Sequence, residues 1–314
     1  MKMISRYACC FLVLFTMILA AAIDCLAAEV EKKSSPQNDN GWSLNLQGGY
    51  LYQFDTDIDD GGSFGVNRIF FEGGPSYSTE AGNTISLSLG YGRDEYSFSG
   101  SEGFAGLKPW EDINTLRFSL PARWRFDRNW SLFAAPTLRF TAESGADWGD
   151  SVTGGIFVGV SYRINERLSI GPGFGVLGQL EDSTRFIPVL VINWKITDTL
   201  SLTTGPAVAA TLGPGLALNW EPSSKWSFSL GGRAESFRFR LDEDGKVPDG
   251  IGDDRSFPLY CGAVYHFTPR IRAGLIGGVE LGGKLTLEDK NGHKVADENY
   301  DPAGFFGLTF SARF

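Results

Sequence analysis

Residues 42–49 read WSLNLQGG: a large apolar residue, a serine, another apolar residue and a glycine pair within eight positions. The pattern returns as ISLSLGYG at Ile85, WSLFAAP at Trp130, LSIGPG at Leu168, LSLTTGP at Leu200, WSFSLGG at Trp226 and, with Arg272 in the serine's place, IRAGLIGG at Ile271. Apolar side chains at every second position share one side of a pleated strand. Seven copies at spacings of 26 to 45 residues therefore mark an internal repeat built on strands. Between them lie seven more alternating runs, at 64–78, 114–126, 152–164, 186–196, 214–220, 256–267 and 303–314. The chain thus predicts fourteen strands.

The connections differ at the two ends. From a returning run to the next copy they are short and turn-like, as in FDRNW, INERL, ITDTL, WEPSSKW and FTPRI. At the opposite end they are mostly longer, polar and acidic: 55–63, 97–112, 142–151, 242–254 and 289–301. An even strand count with short turns on one side and long loops on the other predicts an all-β fold, a 14-stranded antiparallel up-and-down transmembrane β-barrel over residues 42–314. The uncharged stretch 199–220 is long enough for a membrane helix, but Gly205-Pro206 and Gly213-Pro214-Gly215 would break it twice.

Composition agrees. Forty glycines, fourteen prolines and 42 aromatic residues disfavour long helices and suit strands. A net charge of -9 excludes a chain that holds nucleic acid by general electrostatic attraction. Lys2 and Arg6 precede the uncharged run 7–23, and Leu26-Ala27-Ala28 offers a cleavage site, so residues 1–28 are predicted to be a secretory signal peptide. Residues 29–41, nearly devoid of apolar side chains, read as a flexible periplasmic lead-in. Cleavage after Ala28 leaves Cys261 as the single cysteine, so packing and backbone pairing alone must hold the exported chain.

Rows such as Leu116, Phe118, Leu120, Ala122, Trp124, Phe126 and Phe306, Leu308, Phe310, Ala312, Phe314 are too apolar to leave in water, and outer-membrane lipid is the cover this fold implies. Trp42, Trp124, Trp130, Trp194, Trp220 and Trp226 fall beside the short turns, where a membrane girdle is expected. Tyr52, Phe54, Tyr91, Phe140, Phe237, Phe239 and Phe257 lie toward the long loops and are expected to supply the second girdle. With its signal peptide, fourteen-strand meander and last strand FFGLTFSARF, the chain resembles the bacterial outer-membrane β-barrel proteins, porin-like in size and including barrel families of unknown function. The resemblance implies that Phe314 is the terminal aromatic residue through which the barrel-assembly machinery reads the last strand. It carries no other site residue.

The inward positions are rich in Gly, Ser and Thr, with an excess of basic residues. Arg68, Glu72, Arg117, Arg139, Arg163, Lys195, Arg233, Glu235, Glu280 and Lys284 are the predicted pore-lining set. Unpaired guanidinium groups are too costly for a dry interior, so they predict a hydrated lumen and a passive channel for small polar or anionic solutes. The alternatives are a narrow or plugged barrel, and a structural or adhesive surface barrel that conducts nothing. In the long loops, Asp55, Asp57 and Asp59, and Asp242, Asp244 and Asp249, suit a hard cation such as calcium or simply form a solvated acidic rim. No other cofactor is implied, and oligomeric state is not encoded in any recognisable motif. His266 and His293 are the only histidines, one beside a short turn and one in a loop. They offer little for an outer-membrane hydrolase, and the chain is not expected to be an enzyme.

Overall fold

The computed structural model of the chain describes residues 40–205 and 215–314; the predicted signal peptide, all but the last two residues of the lead-in, and Pro206 lie outside the described residues. The strands are β1 (Gly41–Asp57), β2 (Ser63–Ser78), β3 (Thr84–Ser86), β4 (Ser88–Ser99), β5 (Asp112–Ser119), β6 (Ala122–Arg125), β7 (Trp130–Glu143), β8 (Val152–Arg163) and β9 (Leu168–Gln179). They continue as β10 (Asp182–Lys195), β11 (Leu200–Gly205), β12 (Gly215–Trp220), β13 (Trp226–Arg233), β14 (Glu235–Arg240), β15 (Ile251–His266), β16 (Ile271–Glu288), β17 (Lys294–Tyr300) and β18 (Ala303–Arg313). Four crossings are each made of two pieces: β3 with β4, β5 with β6, β13 with β14, and β17 with β18. The eighteen strands are therefore fourteen staves. The β5–β6 break falls at Leu120-Pro121, where proline has no N–H to give the ladder.

Each stave pairs antiparallel with its sequence neighbours, and β1 pairs with β2 on one edge and β18 on the other, in register from Asn45 opposite Arg313 to Gln53 opposite Phe305. The cylinder is closed, and among the described residues it leaves no free edge. At the short-turn end one device recurs. The side chains of Thr79, Asp127, Asn165, Thr197, Ser223 and Thr268 each accept backbone N–H groups two to four residues on, as Asp127 does from Asn129 at 2.7 Å and Trp130 at 2.8 Å. This Asx/ST-turn chemistry is why a single short polar residue placed after each returning strand reverses the chain.

The long-loop end differs from the sequence reading. Strands run on into segments read as loops: β1 extends to Asp57, β15 begins at Ile251, and 289–301 is mostly the hairpin between β16 and β17. More consequentially, the chain breaks at Ala234 and β14 turns inward. It pairs with β15 on one side and is bridged on the other, through Arg240 and Ala142, to β7, six staves away. Nine staves, β14 through β18 together with β1 to β7, thus close a smaller ring within the larger one. At its centre sit Phe64, Val66, Phe104, Trp110, Ile113, Phe239, Leu241, Leu285 and Leu287, each at most 1% exposed. Phe104 belongs to α1 (Gly103–Leu107), a short helix packed into this ring.

The alternation Phe237, Phe239, Leu241 explains the turn. Burying each such side chain is worth about 1.5–3 kcal/mol, and a bridge across the ring is the way β14 can bury this face. Gly252, opposite Phe239, and Gly283, opposite Tyr300, supply the room, since a Cβ at either position would collide with the facing ring. Phe237 and Phe239 are therefore part of this internal packing and not of an outer girdle. Phe54, Tyr91 and Phe257 are 46–49% exposed on the outside.

Candidate functional site: the lumen and its charged layer

Alternation sorts the wall. Leu190, Leu230, Leu275 and Leu308 are 53–61% exposed at outward positions of β10, β13, β16 and β18. The six tryptophans Trp42, Trp124, Trp130, Trp194, Trp220 and Trp226 are also exposed, all at the short-turn ends of their strands. On the inner face of β7, Phe133 lies with Ser131, Ala135, Thr137 and Arg139, yet is 40% exposed. Side chains therefore do not fill the lumen at that depth.

From the short-turn end inward, the lumen begins as a vestibule of about 440 Å³ lined by Gln47, Glu72, Ser88, Arg270, Arg272 and Arg313. Glu72 closes its deep side. Its carboxylate takes Arg117 in an ion pair and accepts from Ser88 Oγ and, at 3.2 Å, from Gln47 Nε2. Beyond Glu72 lies a second cavity of about 100 Å³, lined by Arg68, Arg117, Arg139 and Arg233, by the carboxylates Glu72, Asp94, Glu235 and Asp254, and by the apolar Leu51, Phe70 and Phe237.

Above this cavity a charged layer spans the barrel. Arg68 donates to Glu280 at 3.0 Å and to Gln53 at 3.2 Å, and pairs with Asp254 at 3.6 Å and Asp94 at 3.9 Å. Tyr96 Oη donates to Asp254 at 2.9 Å, and Tyr300 Oη lies 3.0 Å from Asp254 and 3.3 Å from Glu280. Arg233 pairs with Glu235 and sits 5.9 Å above the Tyr260 ring. Buried charges persist only when their hydrogen-bonding capacity is met, and the two tyrosines complete what one guanidinium cannot. The aromatic packing begins immediately above, since Tyr96 and Tyr300 belong to it by their rings and to the charged layer by their hydroxyls.

The predicted lining residues thus fall into groups. Arg68, Glu72, Arg117, Arg139, Arg233, Glu235 and Glu280 come together in mid-lumen. Arg163 and Lys195 are exposed at the short-turn ends of β8 and β10, and Lys284 lies at the long-loop end, paired with Asp297. The sequence understated the acidic side. Asp253 and Asp254, assigned there to a loop, are buried in β15, where Asp253 meets Arg238 and Arg255. Their burial was signalled only by alternation continuing upstream of Phe257.

On the far side of β14, Arg238 donates to Leu180 O at 2.9 Å and pairs with Glu288 at 2.5 Å. Arg240 donates to Asp150 O, Asp249 O and Glu181 at 3.1, 2.8 and 2.7 Å. These two arginines fasten the β9–β10 tip and the β7–β8 connection to the ring, a role that no sequence pattern identified.

Among the described residues no three His, Cys, Asp or Glu side chains converge to hold a metal ion, so Asp55, Asp57 and Asp59, and Asp242, Asp244 and Asp249, form no such group. His266 Nε2 lies 3.0 Å from Ser227 Oγ near the short turns, and His293 Nδ1 lies 3.3 Å from Asp289 in the β16–β17 hairpin. The Asp289 carboxyl is held below the usual aspartate range, chiefly by the His293 backbone N–H.

No family model matches the chain, and no curated protein matches it. Solved structures do. An outer-membrane channel from Pseudomonas putida F1 is similar at 11% identity over 90% of this chain and 100% of its own, with a TM-score of 0.52. The toluene transporter TodX of P. putida aligns at 10% identity over 88% of this chain and 91% of its own (TM-score 0.43), and a FadL homologue from Pseudomonas aeruginosa at 12% over 86% and 89% (TM-score 0.43). The closed cylinder, its outward apolar face and the fold shared with the P. putida F1 channel together make this chain a closed fourteen-stave antiparallel β-barrel.

Proposed function

We propose that the protein is a passive channel for small polar or anionic solutes, exported by a cleaved signal peptide and entered from the periplasmic side through the short-turn end. The observation that carries this reading is the pair of cavities meeting at Glu72, a basic vestibule leading to a smaller chamber lined by four arginines and four carboxylates, with the Arg139 guanidinium Nε unpaired. Wall charge and width set selectivity in such a pore, and guanidinium groups favour anions. The neighbour sharing its fold is itself an outer-membrane channel, which supports the same reading. The exposed tryptophans serve as one membrane girdle, and Phe314 as the residue read during barrel assembly.

The aromatic packing above the charged layer favours a second reading, a barrel that conducts nothing. Single-channel recording of the folded protein in planar bilayers separates the two. Discrete current steps whose reversal potential shifts toward the anion in a salt gradient are expected for the channel. Silence from correctly folded protein would refute it and support the structural role.

A further inference from the structure

We infer that the mid-lumen chamber is a binding site for one small organic monocarboxylate, held by Arg139, Arg233 and Thr115. The inference deepens the channel reading, on which its role in transport rests. Three buried polar atoms along this chamber meet no hydrogen-bond partner in the protein: Arg139 Nε, Arg233 Nη1 and Thr115 Oγ1. Two are guanidinium donors and the third is a hydroxyl able to donate, so what they have in common is a need for an acceptor. Arg233 is only 5% exposed, and its Nε is already committed to Glu235, while its Nη1 has no partner and the residue lines the chamber.

Charge points the same way. Arg139 and Arg117 stand directly opposite each other on β7 and β5, a like-charge pairing that destabilises a sheet unless something neutralises it. Glu72 neutralises Arg117. The other carboxylates along the chamber are committed elsewhere: Glu235 to Arg233, and Asp94 and Asp254 to Arg68, with Tyr96 and Tyr300 also on Asp254. What remains unmet along the cavity is donor capacity, at Arg139 Nε, Arg233 Nη1 and Thr115 Oγ1. Guanidinium groups match carboxylates in shape and hydrogen-bond direction.

The lining divides between these polar groups and the apolar side chains of Leu51, Phe70 and Phe237, while Gly90 and Gly92 on β4 leave space beside Arg117 and Thr115. A ligand with one anionic end and a short hydrocarbon end fits this division. The chamber of about 100 Å³ sets its size at roughly two to four carbons, since about 150 Å³ of cavity accommodates benzene.

The test is isothermal titration of sodium butyrate into the folded full barrel in detergent, with butyramide as the neutral isostere, on wild type and on the Arg139→Gln and Thr115→Val variants. Heat-modifiable electrophoretic migration checks that each variant is folded. The expected result is saturable one-to-one butyrate binding, at least tenfold weaker for butyramide and for Arg139→Gln, and several-fold weaker for Thr115→Val. Should Arg139→Gln fail to fold, the shape-conserving Thr115→Val carries the comparison. Absence of saturable binding, or equal affinity for butyramide, or affinity unmoved in the folded variants, overturns the site. Bilayer recordings made in parallel keep the two ideas apart. Anion-selective current without butyrate binding overturns the site and leaves the channel standing, whereas binding by a silent barrel leaves the site standing and overturns the channel.

Discussion

Replacing Trp110 by alanine removes the centre of the aromatic packing at the long-loop end of the barrel. Trp110 is fully buried, and its ring meets Tyr96, Phe98, Phe104 and Phe239 edge-on at centroid distances of 5.1 to 5.9 Å. Truncating a buried tryptophan costs about 3–5 kcal/mol, and each edge-to-face contact adds ~0.5–1.5 kcal/mol beyond burial, so about 4 kcal/mol is a conservative figure. The cost falls on the nine-stave ring, because the fourteen-stave ladder below does not involve this side chain. Local opening at the long-loop end should therefore become easier by roughly three orders of magnitude, at about 1.4 kcal/mol per decade. Native-state amide exchange reads this directly: protection should fall by about a thousandfold at Tyr96 and Phe239 and stay unchanged at Leu190 and Leu230. Bilayer conductance, if plugged at this end, should rise in the same variant. A fall in protection of less than tenfold at Phe239 would refute the view that Trp110 holds this packing together at the long-loop end.

Three further outcomes follow from other parts of the barrel. Arg240→Ala withdraws a charged donor from Asp150 O, Asp249 O and Glu181, at a cost of about 2 kcal/mol for the lost charge-assisted hydrogen bonds. Proteolytic nicking at the β9–β10 tip should accelerate roughly thirtyfold, while Glu181→Gln, which touches only a partly exposed ion pair, should change it little. Leu308→Arg sets a charge on an outward position that is 55% exposed in mid-strand, and folding into lipid vesicles should weaken by about 2–4 kcal/mol. An unchanged folding yield would mean that this face does not meet lipid. The Asp127 carboxyl, held below the usual aspartate range by the backbone N–H groups of Trp130 and Asn129, stabilises the turn at any pH above that range. This contribution should disappear only as pH falls through the lowered folded value, and a carboxyl carbon NMR titration with a midpoint at or above the ordinary one would contradict it.

By itself the sequence determined the class and the count. The WSLNLQGG repeat, the polar turn residue after each returning run, and the outward leucines and tryptophans all act locally or with period two, so they specify alternate faces and short reversals without any knowledge of distant contacts. Only the tertiary structure decided what fills the cylinder. Phe237 and Phe239 alternate like any lipid-facing row, and which way they point depends on the break at Ala234 and on a bridge to β7 nearly a hundred residues away in the chain. The charged layer is of the same kind. Arg68, Asp94, Asp254 and Glu280 come from four separate strands, so the ion pairs among them, and the unmet donors of Arg139 and Arg233 below them, exist only once the ring closes and brings inward faces within reach of one another.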